Sequence, residues 1–249
     1  MDLVYITTND PLYLPAFFDR VLAHDQDRTL AVFVAPPLSK NESLVAAVRK
    51  YLRTFGWLDL IGLVWRVGLA KLKKQSIASA CKQNGIRYSE ISDVNAPEFL
   101  AELKELAPEL IISVSCPQIF KSPLIALPPR GVLKLHGAIL PQYRGVMPSF
   151  WMMANDEIQA GVSIYFMNEK IDAGDLCGQR IFDIHHHESL DSFVRRSKKI
   201  AADLLFDTLR RMKKNKIIRR PLDLKTGSYH SWPDRNAVKR FRDFGRSVW

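Results

Sequence analysis

The sequence predicts an α/β fold with a doubly wound, mostly parallel sheet, and three observations carry this prediction. Short apolar runs of strand length alternate with segments of helical periodicity through the first half of the chain. One run, residues 110–114, is almost wholly apolar, as is typical of a strand that a parallel sheet buries on both faces. The length of 249 residues is enough for a substantial core, so we expect one main domain with a small extension.

The first elements are two strands with a helix between them. Residues 3–7 and 29–34 have strand character, and apolar side chains within residues 17–22 share one face of the intervening helix. The first strand leads into residues 8–11, Thr-Asn-Asp-Pro, instead of a glycine-rich turn. This turn offers no cradle for a dinucleotide pyrophosphate, which argues against a nicotinamide-dependent dehydrogenase.

Residues 51–74 form a mostly apolar, basic-edged stretch that Asp59 and Arg66 interrupt. A membrane-spanning helix needs about eighteen unbroken apolar residues, so the stretch predicts an amphipathic helix instead. We expect its apolar face to pack on the sheet, as such faces ordinarily do. A peripheral contact with a membrane surface or a partner protein is the alternative. The predicted apolar face consists of Trp57, Leu60, Ile61, Val64, Trp65 and Leu69.

The alternation of elements continues toward the end of the chain. Residues 86–91 and 131–136 have strand character, and residues 95–98, Asn-Ala-Pro-Glu, are typical of the start of a helix that ends near Leu106. A long helix is predicted over residues 190–212.

We therefore divide the chain into a catalytic domain over residues 1–188 and a C-terminal helix and extension over residues 189–249, packed on that domain. Aromatic side chains recur in the extension, and they predict that it is ordered rather than a flexible tail. These aromatic residues are Tyr229, Trp232, Phe241, Phe244 and Trp249.

The chain carries a formal net charge of +10, which favours anionic ligands or surfaces as partners. Much of the excess lies between residues 195 and 220, on and after the long predicted helix. A solvated helix face is the expected role of such a charge run, and a phosphate-binding or anionic-surface site is the alternative.

Cysteine and histidine spacing predicts neither a disulfide framework nor a metal site. Cys81, Cys116 and Cys177 lie far apart and show no Cys-x-x-Cys spacing. The run of histidines at residues 185–187 offers two imidazoles on one face of a strand, which is too few for a closed zinc site. The first residues lack a basic leader, and with the reduced cysteines this leads us to expect a cytoplasmic protein without a transmembrane segment.

Polar residues with complementary chemistry lie in and after the strand at residues 131–136. Because side chains alternate along a strand, Lys134 and His136 project from the same side. The strand leads into a loop that contains Arg144 and Gly145, in the position where α/β proteins bind ligands. After a second strand, Asp172 supplies a carboxylate that could orient the histidine. The sequence therefore predicts a site with a base, its orienting acid and a neighbouring cation.

This stretch resembles the 10-formyltetrahydrofolate-dependent formyltransferases, which include glycinamide ribonucleotide, methionyl-tRNA and nucleotide-amino-sugar formyltransferases. The family pattern is Asn-x-His, a Pro-rich loop ending in Arg-Gly, Gly-Val-Thr, and Asp-x-Gly. His136, the Leu-Pro-Gln-Tyr-Arg-Gly loop at 140–145, Gly-Val-Ser at 161–163 and Asp-Ala-Gly at 172–174 match in order and approximate spacing. Lys134 stands where the family has its catalytic Asn.

The resemblance implies a Rossmann-like fold and transfer of a formyl group from 10-formyltetrahydrofolate to a primary amine. It implies that His136 is the general base and acid and that Asp172 orients it and contributes to the folate site. Lys134 would take the place of the Asn as donor to the formyl oxygen. Arg144 and Gly145 would shape the substrate loop.

The resemblance also assigns a folate-binding loop to the segment that contains Gln118, Ile119 and Phe120. In this assignment Ile119 and Phe120 lie against the pterin. Ordinary packing between a strand and a helix is the alternative role for these apolar side chains.

The resemblance implies a small amine acceptor that bears phosphate, and a nucleotide-linked amino sugar is our first choice. Methionyl-tRNA formyltransferases carry a further β-barrel domain of roughly a hundred residues, whereas roughly sixty residues follow the core here. Initiator tRNA is therefore the second choice. The sequence is compatible with a homodimer and does not decide the oligomeric state.

The replacement at Lys134 leaves a different class of function open as well. Its ammonium group could pair with Asp172 and take that carboxylate away from His136. The chain would then be a catalytically silent folate-binding or scaffold protein of the same fold.

Overall fold

The structure, a computed structural model, describes residues 1–24, 26–36 and 43–249. In this part of the chain seven strands form one sheet and two short strands form a separate parallel pair. The seven strands are β1 (Asp2–Thr8), β2 (Arg28–Ala35), β3 (Arg87–Glu90), β4 (Leu110–Val114), β5 (Val132–His136), β7 (Gln159–Phe166) and β8 (Asp175–Asp183). The separate pair consists of β6 (Arg144–Gly145) and β9 (Tyr229–His230).

The main sheet has the order β3-β2-β1-β4-β5-β7-β8. Its first five strands are mutually parallel, and β7 and β8 are antiparallel to their neighbours. The chain moves outward from β1 to β3 and then returns to start β4 on the other side of β1, so the direction of winding reverses there. Ligands in such sheets bind beside this reversal, at the carboxyl ends of the strands. The predicted doubly wound, mostly parallel fold is confirmed.

Helices cover both faces of the sheet. The long helix α8 packs on β7 and β8 and contributes apolar residues such as Ala201 and Leu205 to the largest core cluster. The described helices are α1 (Leu14–Leu22), α2 (Leu44–Phe55), α3 (Trp57–Leu72), α4 (Ile77–Gln83), α5 (Pro97–Leu106), α6 (Ser122–Ile125), α7 (Pro148–Ala154), α8 (Leu190–Lys213) and α9 (Arg235–Asp243).

The amphipathic stretch at residues 51–74 differs from its prediction in two ways. It belongs to two helices, α2 and α3, because Gly56 between them has φ +93°, a conformation that ends a helix. The expectation that its apolar face packs on the sheet is wrong, since no residue of α3 is buried. None of the helices in the described ranges is long and apolar enough to cross a membrane.

The C-terminal extension is ordered, as predicted. Helix α9 packs on α7 and α2, and the ring of Phe241 lies 5.1 Å from that of Phe150. Phe55 at the end of α2 makes edge contacts with Phe150 and with Trp232 of the extension. Helix α8 contributes to the same core as the sheet, so its packing marks no boundary at residue 188. The division into two units there stays a prediction.

Candidate active site

The polar groups at the end of β5 share one face of the sheet with two groups of β7. In the antiparallel register Lys134 lies beside Tyr165 and His136 lies beside Ser163. Period-two alternation therefore directs all four side chains to the same face. The His136 side chain is 6% exposed and that of Lys134 is 19% exposed. Lys134 is thus the more accessible of the two predicted residues.

Asp172 brings its carboxylate between these two side chains from the loop that joins β7 to β8. Its backbone has φ +46°, and its side chain is 2% exposed. One oxygen, Oδ1, accepts a hydrogen bond from the Tyr165 hydroxyl at 2.7 Å and lies 3.4 Å from Lys134 Nζ. The other, Oδ2, accepts a hydrogen bond from the Gly145 N–H at 2.8 Å and lies 3.6 Å from His136 Nδ1. The structure thus brings the three predicted catalytic residues together.

The carboxyl group of Asp172 is ionised over most of the pH range. Burial raises its pKa, but the charges of His136 and Lys134 and the hydrogen bonds from Gly145 and Tyr165 outweigh burial and hold the pKa at about 2. The site therefore contains a fixed negative charge that faces two basic groups.

His136 uses one ring nitrogen to hold the loop that follows β5. Its Nε2 lies 2.8 Å from the carbonyl oxygen of Tyr143, and because a carbonyl only accepts, Nε2 carries a proton. Burial lowers the pKa of His136, while Asp172 and the Tyr143 carbonyl oppose this effect. In the neutral ring Nδ1 is then the free acceptor, on the side of Asp172.

The loop at 140–145 is held in place by β9 of the extension. Gly145 has φ +98°, and a Cβ there would lie 2.2 Å from the carbonyl oxygen of His230. Only glycine fits this close approach, which aims the Gly145 N–H at Asp172. The Nε of Arg144 is buried and has no hydrogen-bond partner among the described residues.

The predicted folate loop has a mixed arrangement. The amide of Gln118 accepts from the Val94 N–H at 2.8 Å and donates to the Ser92 carbonyl at 2.9 Å, so it anchors the loop after β3. Phe120 is 1% exposed and packs in the core, whereas Ile119 is 57% exposed. Ile119 is thus the most exposed of these three side chains, and the folate assignment of the loop stays a prediction.

Lys198 of α8 is a further basic group at the site, although its position in the basic run after residue 195 predicts a solvated side chain. Its Nζ donates to Ser115 Oγ at 2.7 Å, just after β4. Burial lowers its pKa, and the nearby charge of Asp10 opposes this effect. Its charge in turn contributes to lowering the pKa of His136. One feature of the sequence indicates that Lys198 points inward. It lies four residues after Val194 and three before Ala201, on the apolar face of α8.

Among the described residues no group of three or more His, Cys, Asp and Glu side chains could hold a metal ion. The backbone carbonyls of His185 and His186 both accept hydrogen bonds from Arg246. The three cysteines are free thiols and are buried.

Comparison with known proteins connects this geometry to one family. A family model described as formyl transferase matches residues 66–209. A methionyl-tRNA formyltransferase of Ruminiclostridium cellulolyticum is 28% identical over 159 residues, which are 64% of this chain and 51% of that protein. One of Caldanaerobacter subterraneus is 30% identical over 149 residues, or 59% of this chain and 48% of that protein. The chain thus spans about half the length of these relatives.

Solved structures with the same fold include three formyltransferases of different kinds. A sugar N-formyltransferase from a Shewanella species has a TM-score of 0.60 at 20% identity, with 93% of this chain and 76% of that chain covered. An N-formyltransferase of Helicobacter canadensis, in complex with folinic acid and dTDP-3-aminofucose, has a TM-score of 0.59 at 19% identity and coverages of 97% and 80%. A glycinamide ribonucleotide transformylase from Symbiobacterium toebii has a TM-score of 0.61 at 12% identity and coverages of 90% and 94%.

Proposed function

The chain belongs to the formyl transferase family, and from this premise we propose that it transfers a formyl group from 10-formyltetrahydrofolate to a primary amine. The observation that carries the proposal is the Asp172 carboxylate, which lies within 4 Å of both Lys134 Nζ and His136 Nδ1. A cation for the formyl oxygen and a base for the amine proton are thereby held next to each other.

The proposed reaction begins with attack of the amine nitrogen on the formyl carbon. The carbonyl π electrons move to the oxygen, and the ammonium group of Lys134 stabilises the negative charge that develops there. His136 takes the proton that the nitrogen loses, through the Nδ1 that its bond to Tyr143 leaves unprotonated. The C=O bond then re-forms, the bond from carbon to N10 breaks, and His136 returns the proton to N10.

The ionised Asp172 supports both roles in this reaction. Its charge favours the imidazolium that forms on His136 in the first step, which matters because burial lowers the pKa of this histidine. Its other oxygen restrains the flexible Lys134 side chain at 3.4 Å. A lysine tethered in this way loses less conformational freedom when it binds the oxyanion than a free one.

For the acceptor we propose a nucleotide-linked amino sugar or a similar small amine that bears phosphate. The Nε of Arg144, which is buried without a hydrogen-bond partner in the described part of the chain, and the amino group of Lys198 are nitrogen donors near the reacting groups. Such groups suit phosphate oxygens. The sugar N-formyltransferases with the same fold support this choice, and the relatives that formylate methionyl-tRNA make that substrate the second candidate.

A catalytically silent folate-binding or scaffold protein is the alternative from a different class. The 3.4 Å ion pair between Lys134 and Asp172 favours it, because a lysine occupied by the carboxylate is a weaker donor to substrate. Donor binding without transfer to any amine would be its signature.

The test combines a transfer assay with a binding measurement on the full chain. We would incubate the protein with 10-formyltetrahydrofolate and either a dTDP-linked amino sugar or methionyl-tRNA, and quantify tetrahydrofolate and the formylated product by mass spectrometry. We expect equimolar products with the amino sugar and none with the His136→Asn variant. Calorimetric titration with folinic acid supplies the control, because the variant should still bind the donor analogue. Donor binding with no transfer to either acceptor favours the silent alternative, and no binding contradicts both proposals.

A further inference from the structure

Helix α3 exposes a continuous apolar stripe on the side that points away from the body of the protein. The side chains at its exposed positions recur at spacings of three, four and one, which place them on a single stripe of the helix. Trp57 and Trp65 are 63% and 67% exposed, and Leu72 is 78% exposed. We call these residues the α3 stripe. Its members are Trp57, Leu58, Ile61, Val64, Trp65, Leu69 and Leu72.

The opposite side of α3 combines half-buried apolar side chains with two charged residues, and specific contacts fix it to the body. Asp59 forms an ion pair with Arg242 at 2.7 Å, and its carbonyl accepts from the Trp249 indole at 3.0 Å. The guanidinium group of Arg66 lies 5.0 Å from the Trp249 ring and makes an ion pair with Asp191.

Gly62 is part of this fixed side. A Cβ at this position would lie 2.5 Å from the Trp249 ring, so the missing side chain makes room for the indole. The contacts of Asp59, Gly62 and Arg66 thus set one rotation of the helix about its axis. In that rotation the stripe faces outward and cannot turn inward without breaking two ion pairs.

An ordinary surface helix buries its large apolar side chains, whereas α3 leaves those of the stripe exposed. Exposed apolar patches with charged borders mark contact surfaces in folded proteins. The stripe also carries two tryptophans, whose rings are enriched where proteins meet the interface of a lipid bilayer. The surface is therefore suited to contact with an apolar partner.

The borders of the α3 stripe are basic. Next to its start, Gly56 lines a cleft of about 400 Å³ together with four cationic side chains, of which Arg242 is paired with Asp59, and one carboxylate. At its end, Lys71, Lys73 and Lys74 are exposed. The cationic residues of the cleft are Arg53, Arg235, Lys239 and Arg242, and the carboxylate belongs to Asp243.

The positive charge at both ends of the stripe favours an anionic partner over a basic one. A second copy of this chain would bring like charges together, and the chain carries a net charge of +10. An anionic bilayer offers an apolar layer beneath a negative surface, and that surface attracts nearby lysine and arginine side chains. A helix with these two features lies in the plane of the interface.

We propose that helix α3 attaches this protein peripherally to anionic lipid surfaces. The α3 stripe inserts among the acyl chains near the headgroups, and the basic cleft and the terminal lysines contact the anionic headgroups. The attachment leaves the rotation of α3 and the folded body unchanged. It does not depend on formyl transfer.

The test is flotation of the full chain with vesicles of two compositions. One is phosphatidylcholine alone, and the other is an equal mixture of phosphatidylcholine and phosphatidylglycerol. We expect binding to the mixed vesicles only, with a decrease as salt is added. The triple variant Leu58→Ser, Ile61→Ser, Val64→Ser should bind the mixed vesicles at least about tenfold more weakly, because each serine replaces inserted hydrocarbon.

A matched control replaces three exposed branched residues elsewhere, in the variant Ile158→Ser, Ile181→Ser, Ile218→Ser. This control should bind the mixed vesicles as the native chain does. Undiminished binding by the stripe variant, or no vesicle binding by the native chain, overturns the proposal. Equal binding to both vesicle types overturns it as well, since the charge argument then fails. Sedimentation equilibrium measures whether the chain dimerises. A dimer that the stripe variant abolishes would show that a second copy covers this surface, and it would overturn the proposal.

Discussion

Lys134 Nζ lies 3.4 Å from Asp172 Oδ1, while the other oxygen of the same carboxylate faces His136 Nδ1 at 3.6 Å. One buried anion is therefore shared by two basic groups. Because Lys134 supplies a positive charge beside Asp172, part of the stabilisation that an imidazolium would gain from the carboxylate is cancelled. The lysine thus keeps His136 available as a neutral base, in addition to any contact it makes with the formyl oxygen.

Replacement of Lys134 tests its effect on the pKa of His136 and its contact with the formyl oxygen. The variant Lys134→Met removes the donor, and we expect kcat for formyl transfer to fall by about a hundredfold or more. The pKa of His136 should rise in this variant, because the Lys134 charge lowers it. NMR titration of the histidine resonances measures the second effect independently of turnover. Lys134→Asn restores the amide of the family pattern and should retain more activity than Lys134→Met; equal or higher activity of Lys134→Met would refute the donor role.

Removal of the Asp172 charge should destabilise the fold as well as the site. In Asp172→Asn the two basic groups lose their shared anion, and we expect the free energy of unfolding to fall by about 3 kcal/mol. The pKa of His136 should decrease further, since Asp172 is a cause that raises it. Urea unfolding and NMR titration measure the two effects. Asp175→Asn is the control, and its effect should stay within about 0.5 kcal/mol.

The depressed pKa of Asp172 predicts a particular loss of stability in acid. The folded-state pKa is about 2, against an ordinary value of 3.8. A carboxyl with a depressed pKa contributes stability above its unfolded-state pKa and loses that contribution as the pH falls through the folded value. We therefore expect roughly 2 kcal/mol to disappear between about pH 4 and pH 2. Urea unfolding at a series of pH values measures the slope, and an unchanged slope in Asp172→Asn would assign the loss to other groups.

Gly145 should not tolerate a side chain. In Gly145→Ala the Cβ would lie 2.2 Å from the His230 carbonyl oxygen, at a residue with φ +98°. We expect a loss of about 2 kcal/mol or more in stability and a displaced hydrogen bond to Asp172. Gly68→Ala is the matched control, because a Cβ there meets nothing within 4 Å and alanine favours the helix by about 1 kcal/mol. Thermal unfolding of the two variants should shift in opposite directions.

Trp249 should control the order of α3 without controlling the fold as a whole. Trp249→Ala removes the indole bond to the Asp59 carbonyl and the ring beneath Arg66, so the amides of α3 should exchange faster with solvent. Trp57→Ala removes the same side chain from the exposed stripe and should leave exchange unchanged. Hydrogen exchange read by mass spectrometry over residues 57–72 makes the comparison, and equal exchange in both variants would contradict the anchoring role.

Strand periodicity predicted the core of the site because it is a local property. Alternation along β5 placed Lys134 and His136 on one face, and the structure agrees. The contribution of Tyr165 depends on the register of β7 against β5, which one strand alone does not specify. The family resemblance assigned Phe120 to the pterin, with packing between strand and helix as the alternative, and its burial in one core cluster with Phe99 of α5 and Leu124 of α6 favours the packing role. The sequence around Phe120 does not specify how these two helices pack against it.

The orientation of α3 is the clearest case in which sequence reasoning failed. An apolar face ordinarily predicts burial, and here the residue that holds the helix the other way, Trp249, lies 187 positions after Gly62. Composition of the stretch itself gave no indication of this contact. A long-range packing interaction had overridden a sound local expectation.

The pairing of β6 with β9 couples the backbone of the loop after His136 to that of the segment around His230. The Tyr143 N–H donates to Ser228 Oγ at 2.8 Å, and the Arg144 N–H donates to the Ser228 carbonyl at 3.0 Å. A change of backbone shape on either side therefore has to be matched on the other. Among homologous sequences we expect substitutions at 143–145 to co-vary with those at 228–230. A loop transplanted from a relative to alter acceptor choice would need its distant partner segment transplanted with it.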